Sequence, residues 1–260
     1  MTDPNPKIAF RNVSKSFGEG DKSFVALRDL TLDIADGEIV TVVGPSGCGK
    51  STAMNIVAGL TGVTSGECLV NGKAVNGPGP DRGVIFQQYA LFPWLTVIKN
   101  VEFGLKLQGM GREQRRERAL HYLDLVGLKD FAEAYPKTLS GGMKQRCAIA
   151  RAYAVNPSVL LMDEPFGALD ALTRVKLQDQ LLDTWSKDRR TVMFITHDVD
   201  EAVYIAHRVI VLAARPGRLQ EIINVDLPFP RNEEIRLSPE FTEIRNNVWR
   251  AVYDRSQQAA

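Results

Sequence analysis

The stretch Ile39-Val40-Thr41-Val42-Val43-Gly44-Pro45-Ser46-Gly47-Cys48-Gly49-Lys50-Ser51 decides the reading of this chain. Its first five residues form a continuous, largely apolar run, the pattern of a strand buried on both faces. The remainder matches G-x-x-x-x-G-K-[ST]. Glycines in that pattern let the backbone turn sharply, so that consecutive N–H groups face inward around phosphate oxygens. A helix expected over residues 50–60 adds its positive N-terminal end. In such a loop Lys50 reaches the β- and γ-phosphates and the Ser51 hydroxyl ligates Mg²⁺. An apolar strand before the loop and a helix after it separate this match from a chance glycine-rich turn. Alone, it still leaves kinases, GTPases and ATPases open.

Upstream, Ile8, Phe10 and Val13, then Leu30, Leu32 and Ile34, alternate with polar residues, which predicts antiparallel strands over residues 8–38. Downstream, residues 68–75 read as a hairpin closed by Asn71-Gly72, and Val84-Ile85-Phe86 as a short strand. From about residue 95 to 154 the pattern turns helical and more charged, with Arg112 to Arg118 read as a solvated helix face. Strand patterns return at 158–163, 191–196 and 209–212. Between them Leu172, Val175, Leu182 and Trp185 form a helical stripe expected to face the core. Alternating strands and helices imply an α/β sheet with a helical subdomain inserted at 95–154. The core then takes residues 1–94 and 155–225. A tail follows at 226–260, in which Ser238-Pro239-Glu240 starts a helix and Phe241, Ile244, Val248 and Val252 line one side.

At 260 residues, 44% apolar and 24% charged, the chain has the composition of an ordinary globular protein. A formal charge of +1 gives no basic excess of the kind a nucleic-acid groove needs. The three cysteines, Cys48, Cys68 and Cys147, have neither metal-site nor disulfide-framework spacing and fit a reducing cytosol. No stretch reaches the roughly 18 apolar residues of a membrane helix, and the N-terminus lacks the apolar core of a secretory signal.

Leu160-Leu161-Met162-Asp163-Glu164 supplies the second half of the chemistry. A carboxylate at the end of a buried strand is costly unless it meets a cation. Asp163 therefore suits Mg²⁺, often through water, and Glu164 is placed to take a proton from an attacking water.

Phe86-Gln87, Leu139-Ser140-Gly141-Gly142-Met143-Lys144-Gln145-Arg146, Asp163-Glu164-Pro165, Ala168-Leu169-Asp170 and Ile195-Thr196-His197-Asp198 then occur in one order. In that order the chain resembles the ATP-binding cassette family from about residue 8 to 219. The resemblance implies a P-loop NTPase (RecA-like) core of α/β class, with an N-terminal antiparallel β subdomain and the inserted α-helical subdomain. It implies that Gly44, Pro45, Ser46, Gly47, Cys48, Gly49, Lys50, Ser51 and Thr52 bind ATP, with Phe17 stacking on adenine. Ser51, Gln87 and Asp163 are the implied Mg²⁺ contacts. Glu164, Gln87 and His197 are the implied catalytic residues, His197 contacting the γ-phosphate and orienting the water. Asp170 is the implied bridge between protomers. Leu139, Ser140, Gly141, Gly142 and Gln145 belong to a signature loop that completes the site of the opposite subunit. Two identical chains would then sandwich two ATP molecules head to tail.

The balanced charge and a single cassette without coiled coil or zinc module set aside the DNA and ribosome types. A separate cassette of this size resembles the energising subunit of a bacterial importer. Such a subunit lies peripherally on the cytoplasmic face of the inner membrane. Its partners are a second copy or a homologous cassette, a transmembrane permease and, indirectly, a periplasmic or extracellular solute-binding protein. After the Q-loop, Tyr89, Phe92 and Trp94 either pack the subdomain junction or line a groove for a permease helix. Residues 76–84, 166–170 and 226–231 look most like the nitrate, sulfonate and taurine group. A soluble non-transport cassette ATPase and an unrelated P-loop kinase are the alternatives. Cys48, inside the phosphate loop, predicts inhibition by thiol alkylation and protection by ATP.

Overall fold

The run at 39–43 forms β3 (Ile39–Val43), buried at every position, in a computed structural model that describes residues 6–167 and 169–253. Two units divide the chain, the first from residues up to Gly79 and from Leu181 onward, the second from Pro80–Gln180.

In the first unit β3 lies between two parallel neighbours, β8 (Thr191–Ile195) and β9 (Arg208–Ala213), with Ile39 opposite Val192 and Val43 opposite Val211. All five residues of β8 are buried too. A sheet interior of this kind needs apolar side chains on both faces, and each buried Val or Ile contributes about 1.5–3 kcal/mol. On the far side of β9, β10 (Arg218–Asn224) adds an antiparallel edge. That strand is missing from the sequence reading. The entrance to β3 is tied down by polar contacts: Arg208 donates to the Glu38 carboxylate at 2.5 and 2.7 Å, which raises the Arg208 pKa. Trp185 Nε1 donates to the Gly37 carbonyl at 2.8 Å.

A second sheet in this unit is antiparallel, in the order β2 (Phe24–Ile34), β1 (Ile8–Phe17), β4 (Ser65–Val70), β5 (Lys73–Ala74). Ile8 faces Ile34 on one side and Val70 on the other, which puts the apolar positions of all three strands into one register. Asn71 and Gly72 both adopt positive φ, 53° and 70°, as a two-residue hairpin turn requires. Helix α1 (Lys50–Ala58) ends at Gly59, short of residue 60, because Gly59 goes left-handed and its N–H donates to the Asn55 and Ile56 carbonyls.

The second unit contains the parallel pair β6 (Arg82–Ile85) and β7 (Val159–Asp163), and the helices α2 (Val97–Leu107), α3 (Arg112–Leu125) and α4 (Gly141–Ala154). The three helices pack on one another, and α4 also packs on β6. This unit is therefore wider than the helical segment 95–154. Only Ala119 and Leu123 of α3 are buried, and most of its charged run faces outward. Arg115 is the exception, turned in to pair with Glu102 of α2 at 3.6 Å and to donate to the Met110 carbonyl at 3.3 Å. Buried Asn100 fixes the loop entering α2. It accepts from the Phe92 N–H at 2.8 Å and donates to the carbonyls of Phe92, Leu95 and Thr96.

Helix α5 (Ala171–Asp188) corrects one expectation. Leu177, Leu181, Leu182 and Trp185 are buried, but Leu172 is 78% exposed because it occupies the uncovered first turn. Helix α7 (Pro239–Tyr253) packs on α6 (Val199–Ile205) and β9 through Phe241, Val248 and Val252. Arg231 donates to the carbonyls of Val203 and Tyr204 at 2.9 and 2.8 Å, capping the end of α6. Ala168 of the Ala168-Leu169-Asp170 motif, and the two ends of the chain included in the expected core and tail, lie outside the described residues. No helix among the described residues is long and apolar enough to cross a membrane.

Candidate functional site

Gly44 leaves β3 at φ 150°, and a β-carbon there would stand 2.4 Å from the Leu212 carbonyl oxygen and 2.8 Å from Cys48 Sγ. Only glycine lets the chain turn this tightly against β9. The Lys50 ammonium donates to the carbonyls of Gly44 at 2.8 Å and Pro45 at 3.1 Å, and lies 3.7 Å from Cys48 Sγ. The loop's own oxygens thus hold a cation at the first turn of α1, a position where phosphate oxygens can compete for it. Ser46, Gly47 and Ser51 are exposed, Pro45, Gly49, Lys50 and Thr52 partly so, and Gly44 and Cys48 are buried.

Cys48 departs from expectation. Its thiol has no exposed surface, and burial pushes its pKa up more strongly than nearby Lys50 pulls it down. A buried thiol held in its protonated form is a poor nucleophile. Ready alkylation of the intact loop does not follow from its place in the motif.

Beside the loop, within the first unit, lies a cavity of about 580 Å³ lined by Phe17, Phe24, Arg28, Cys48–Thr52 and the turn residues Arg215 and Pro216, among others. Phe17 and Phe24 stack at 5.6 Å with 29° between their planes, and the Lys15 ammonium sits 4.8 Å above the Phe17 ring. An aromatic wall at one end and a phosphate-type loop at the other are what a nucleotide presents surfaces for. His197 is also in this unit, exposed two residues after β8. Its neighbours are fixed: the Asp198 N–H donates to Thr196 Oγ1 at 3.0 Å, and the Asp198 side chain caps α6 by accepting from the Glu201 N–H at 3.1 Å.

The second unit holds Gln87, Asp163, Glu164, the signature loop and Asp170. Asp163 is the last residue of β7. Glu164 follows in a left-handed conformation, φ 46°, which costs an ordinary residue on the order of 1 kcal/mol or more and aims its carboxylate out of the strand direction. Gln87 Nε2 donates to Glu164 Oε2 at 3.1 Å, joining two residues selected from distant motifs. Ser140 is the exposed N-cap of α4, its hydroxyl oxygen accepting from the Met143 N–H at 3.3 Å. Gly141 and Gly142 are the helix's first two residues, whose N–H groups have no intrahelical partner. Leu139 and Gln145 behave differently, since both are buried, Gln145 to 1% exposure. Asp170 caps α5 by accepting from the Thr173 N–H at 2.9 Å, and its pKa is lowered by the Thr173 backbone and hydroxyl.

The expected Mg²⁺ donors, the Ser51 hydroxyl, the Gln87 amide and the Asp163 carboxylate, are hard oxygen ligands of the type Mg²⁺ takes. Among the described residues no group of three or more His, Cys, Asp or Glu is arranged to hold a metal. A Mg²⁺ that draws most of its ligands from phosphate and water fits that donor set.

Phe24, Arg28, Arg215 and Pro216 were not singled out by sequence. The Pro216-Gly217 pair marks a turn between two strands, but no local signal says which loop that turn will meet.

Residues 27–167 match the family model described as ABC transporter. This chain belongs to the ABC transporter family. The cassette is 72% identical over 253 residues to a provisionally named ATP-binding protein of Brucella abortus (strain 2308), covering 97% of this chain and 96% of that one. It is 51% identical over 232 residues to the nitrate import ATP-binding protein NrtD of Synechocystis sp., covering 87% of each. A solved structure, the dimeric post-hydrolysis state of the ATP-binding cassette MJ0796 bound to ADP and Pi, superposes with a TM-score of 0.78 at 36% identity, over 85% of this chain and 100% of that one. The cassette is an ABC-type ATPase with the P-loop NTPase fold.

Proposed function

We propose that this cassette is the ATP-hydrolysing subunit of a bacterial importer for a small anionic solute of the nitrate, sulfonate or taurine type. The observation that carries the hydrolytic reading is Glu164, strained into a left-handed turn after Asp163 and bonded to Gln87. Glu164 accepts the proton of the attacking water, Gln87 orients it, and His197 steadies the γ-phosphate. Lys50 transfers its hydrogen bonds from the loop carbonyls to the β- and γ-phosphates. Ser51, Gln87 and Asp163 would hold Mg²⁺, which would neutralise charge on the phosphates.

Ser140 and the N–H groups at the start of α4 form an anion-binding end on the unit that does not carry the phosphate loop. In this reading they close over ATP on a second copy of the chain. That part falls to Ser140, Gly141 and Gly142, which are on the surface, whereas Leu139 and Gln145 are buried.

The importer assignment draws on the likeness to NrtD and to the aliphatic sulfonates import protein SsuB of Bacillus licheniformis, 47% identical over 241 residues. An aromatic cluster supports a permease partner. Phe92 packs with ring centroids 4.5 Å from Phe103 and 5.6 Å from Trp94, a residue 70% exposed. Such a patch suits the apolar face of a helix from another protein. The cassette then rides on the permease at the cytoplasmic face of the membrane.

The test is to co-purify the chain with its membrane partners and measure ATP hydrolysis as candidate solutes are supplied with a binding protein. Nitrate or an alkanesulfonate is expected to stimulate turnover. A chain that brings down no multi-helix partner and whose ATPase ignores every solute is instead a soluble cassette ATPase.

A further inference from the structure

We propose that Arg28 and Arg215 are nucleotide contacts, which with Lys50 hold the phosphate chain in the first-unit cavity. The inference rests on the reading of that cavity as the ATP site.

Three observations carry it. First, both arginines line the cavity, and of its described lining residues none is acidic. Neither guanidinium has an ion-pair or hydrogen-bond partner among the described residues. What distinguishes them is their place: with Lys50 they put three cationic side chains around one concave surface that has no carboxylate in its described lining, and such a cleft focuses a positive field on an anion.

Second, the turn that carries Arg215 is built into the phosphate loop. The Gly217 N–H donates to the Ala26 carbonyl at 3.1 Å, and the Arg28 N–H donates to the Gly217 carbonyl at 2.8 Å. A β-carbon on Gly217 would stand 2.3 Å from the Cys48 carbonyl oxygen and 2.6 Å from that of Ala26. The turn, β2 and the loop therefore touch backbone to backbone. The backbone that carries both arginines is thereby held against Cys48 and Gly49 of the phosphate loop, and both side chains line the cavity that Phe17 and Phe24 also line.

Third, Arg215 is held at φ 58°, a left-handed conformation disfavoured for a long side chain. Glycine or asparagine would sit there with less strain, so the position carries an arginine against its backbone preference. Strain of this kind collects at ligand-binding positions.

The experiment titrates ADP into the full chain by calorimetry at low and high salt, with thermal unfolding of each variant alongside. Arg28→Ala and Arg215→Gly are each expected to weaken ADP binding about fivefold at low salt, with the gap closing as salt is added. Arg215→Lys is expected to recover most of the loss. Arg215→Gly is expected to keep Tm at or above wild type, because glycine relaxes the left-handed position. A purely structural role for Arg215 predicts a lower Tm or unchanged affinity. If ADP binds wild type and both charge-removing variants within twofold of one another, the inference is overturned while the ATP site stands. If wild type itself does not bind ADP and Lys50→Ala changes nothing, the reading of the cavity fails and the inference with it.

Discussion

Of the three histidines, His207 lies inside the first unit, at the entrance to the strand that feeds the phosphate loop. Its Nδ1 accepts from the Ile39 N–H at 3.1 Å, a bond that only the unprotonated nitrogen can make. The ring stacks on Phe229 at 4.6 Å and meets the edge of Trp185 at 4.8 Å. The charged groups around it are Arg231, placed over Phe229, Arg189, placed over Trp185, and Glu38. Burial first, then Arg231, holds the imidazole below its ordinary 6.5, against the opposing pull of Glu38. Because the folded value lies below the unfolded one, the fold favours the neutral ring. Its stabilisation is complete above about pH 6.5 and is lost as pH falls through the folded value. Thermal unfolding should therefore show Tm declining from pH 7 to pH 5, with a shallower decline in His207→Gln. Parallel pH profiles for the two proteins would remove His207 from the account. Position in the sequence distinguishes this histidine from His197 only in part, since both follow or precede apolar runs. What separates them is which one the tail covers, and Phe229 lies 22 residues along the chain from His207.

At the scale of elements, the helix start read from Ser238-Pro239-Glu240 can be tested directly. Ser238 Oγ accepts from the Phe241 N–H at 3.1 Å, and Phe241 is buried to 1% exposure where α7 meets the first unit. Ser238→Ala should cost about 1 kcal/mol, which for a chain of this size lowers Tm by about 2–4 °C. Phe241→Ala should cost about 3–5 kcal/mol, and equal losses for the two would mean that the cap, not the packing, holds α7. Elements of this kind were legible because their signals are local: a cap, a β-branched run, an Asn-Gly turn. Strand β10 was not. Arg218-Leu219-Gln220-Glu221-Ile222-Ile223-Asn224 breaks its alternation at the register shift between Leu219 and Glu221, and as an edge strand it buries little. The stripe through Leu172 failed for a related reason, since helical period assigns a face but not how far the covering layer reaches. The site divides in the same way. Gly44 to Ser51 and Glu164 could be found from motifs, while Arg28 is a cavity residue because β2 passes the loop at Gly49, and Arg215 because Gly217 brings a distant turn against Cys48.

At the scale of the molecule, the phosphate loop belongs to one unit, and Ser140, Gly141 and Gly142 at the head of α4 belong to the other. In the proposed reading this exposed helix head, whose first N–H groups have no intrahelical partner, meets the nucleotide on a second chain. The solved relative bound to ADP and Pi is itself dimeric. Glu164→Gln keeps the shape of the side chain and the contact with Gln87 while removing the proton acceptor. Hydrolysis should fall by about a hundredfold or more, and ATP that is bound but not cleaved should hold two copies together. With ATP and Mg²⁺, size-exclusion chromatography of Glu164→Gln is expected to show a dimer that reverts to monomer when ATP is replaced by ADP. Adding Ser140→Arg to the same chain should abolish the dimer while leaving the phosphate loop intact, because that change places bulk and charge at the head of α4 alone. A Glu164→Gln chain that stays monomeric with ATP, even beside its permease, would separate the signature loop from nucleotide closure. A dimer that survives Ser140→Arg would locate the contact elsewhere. ATP-dependent assembly, blocked from the second unit and trapped from the base, is the outcome that ties both units to one catalytic cycle.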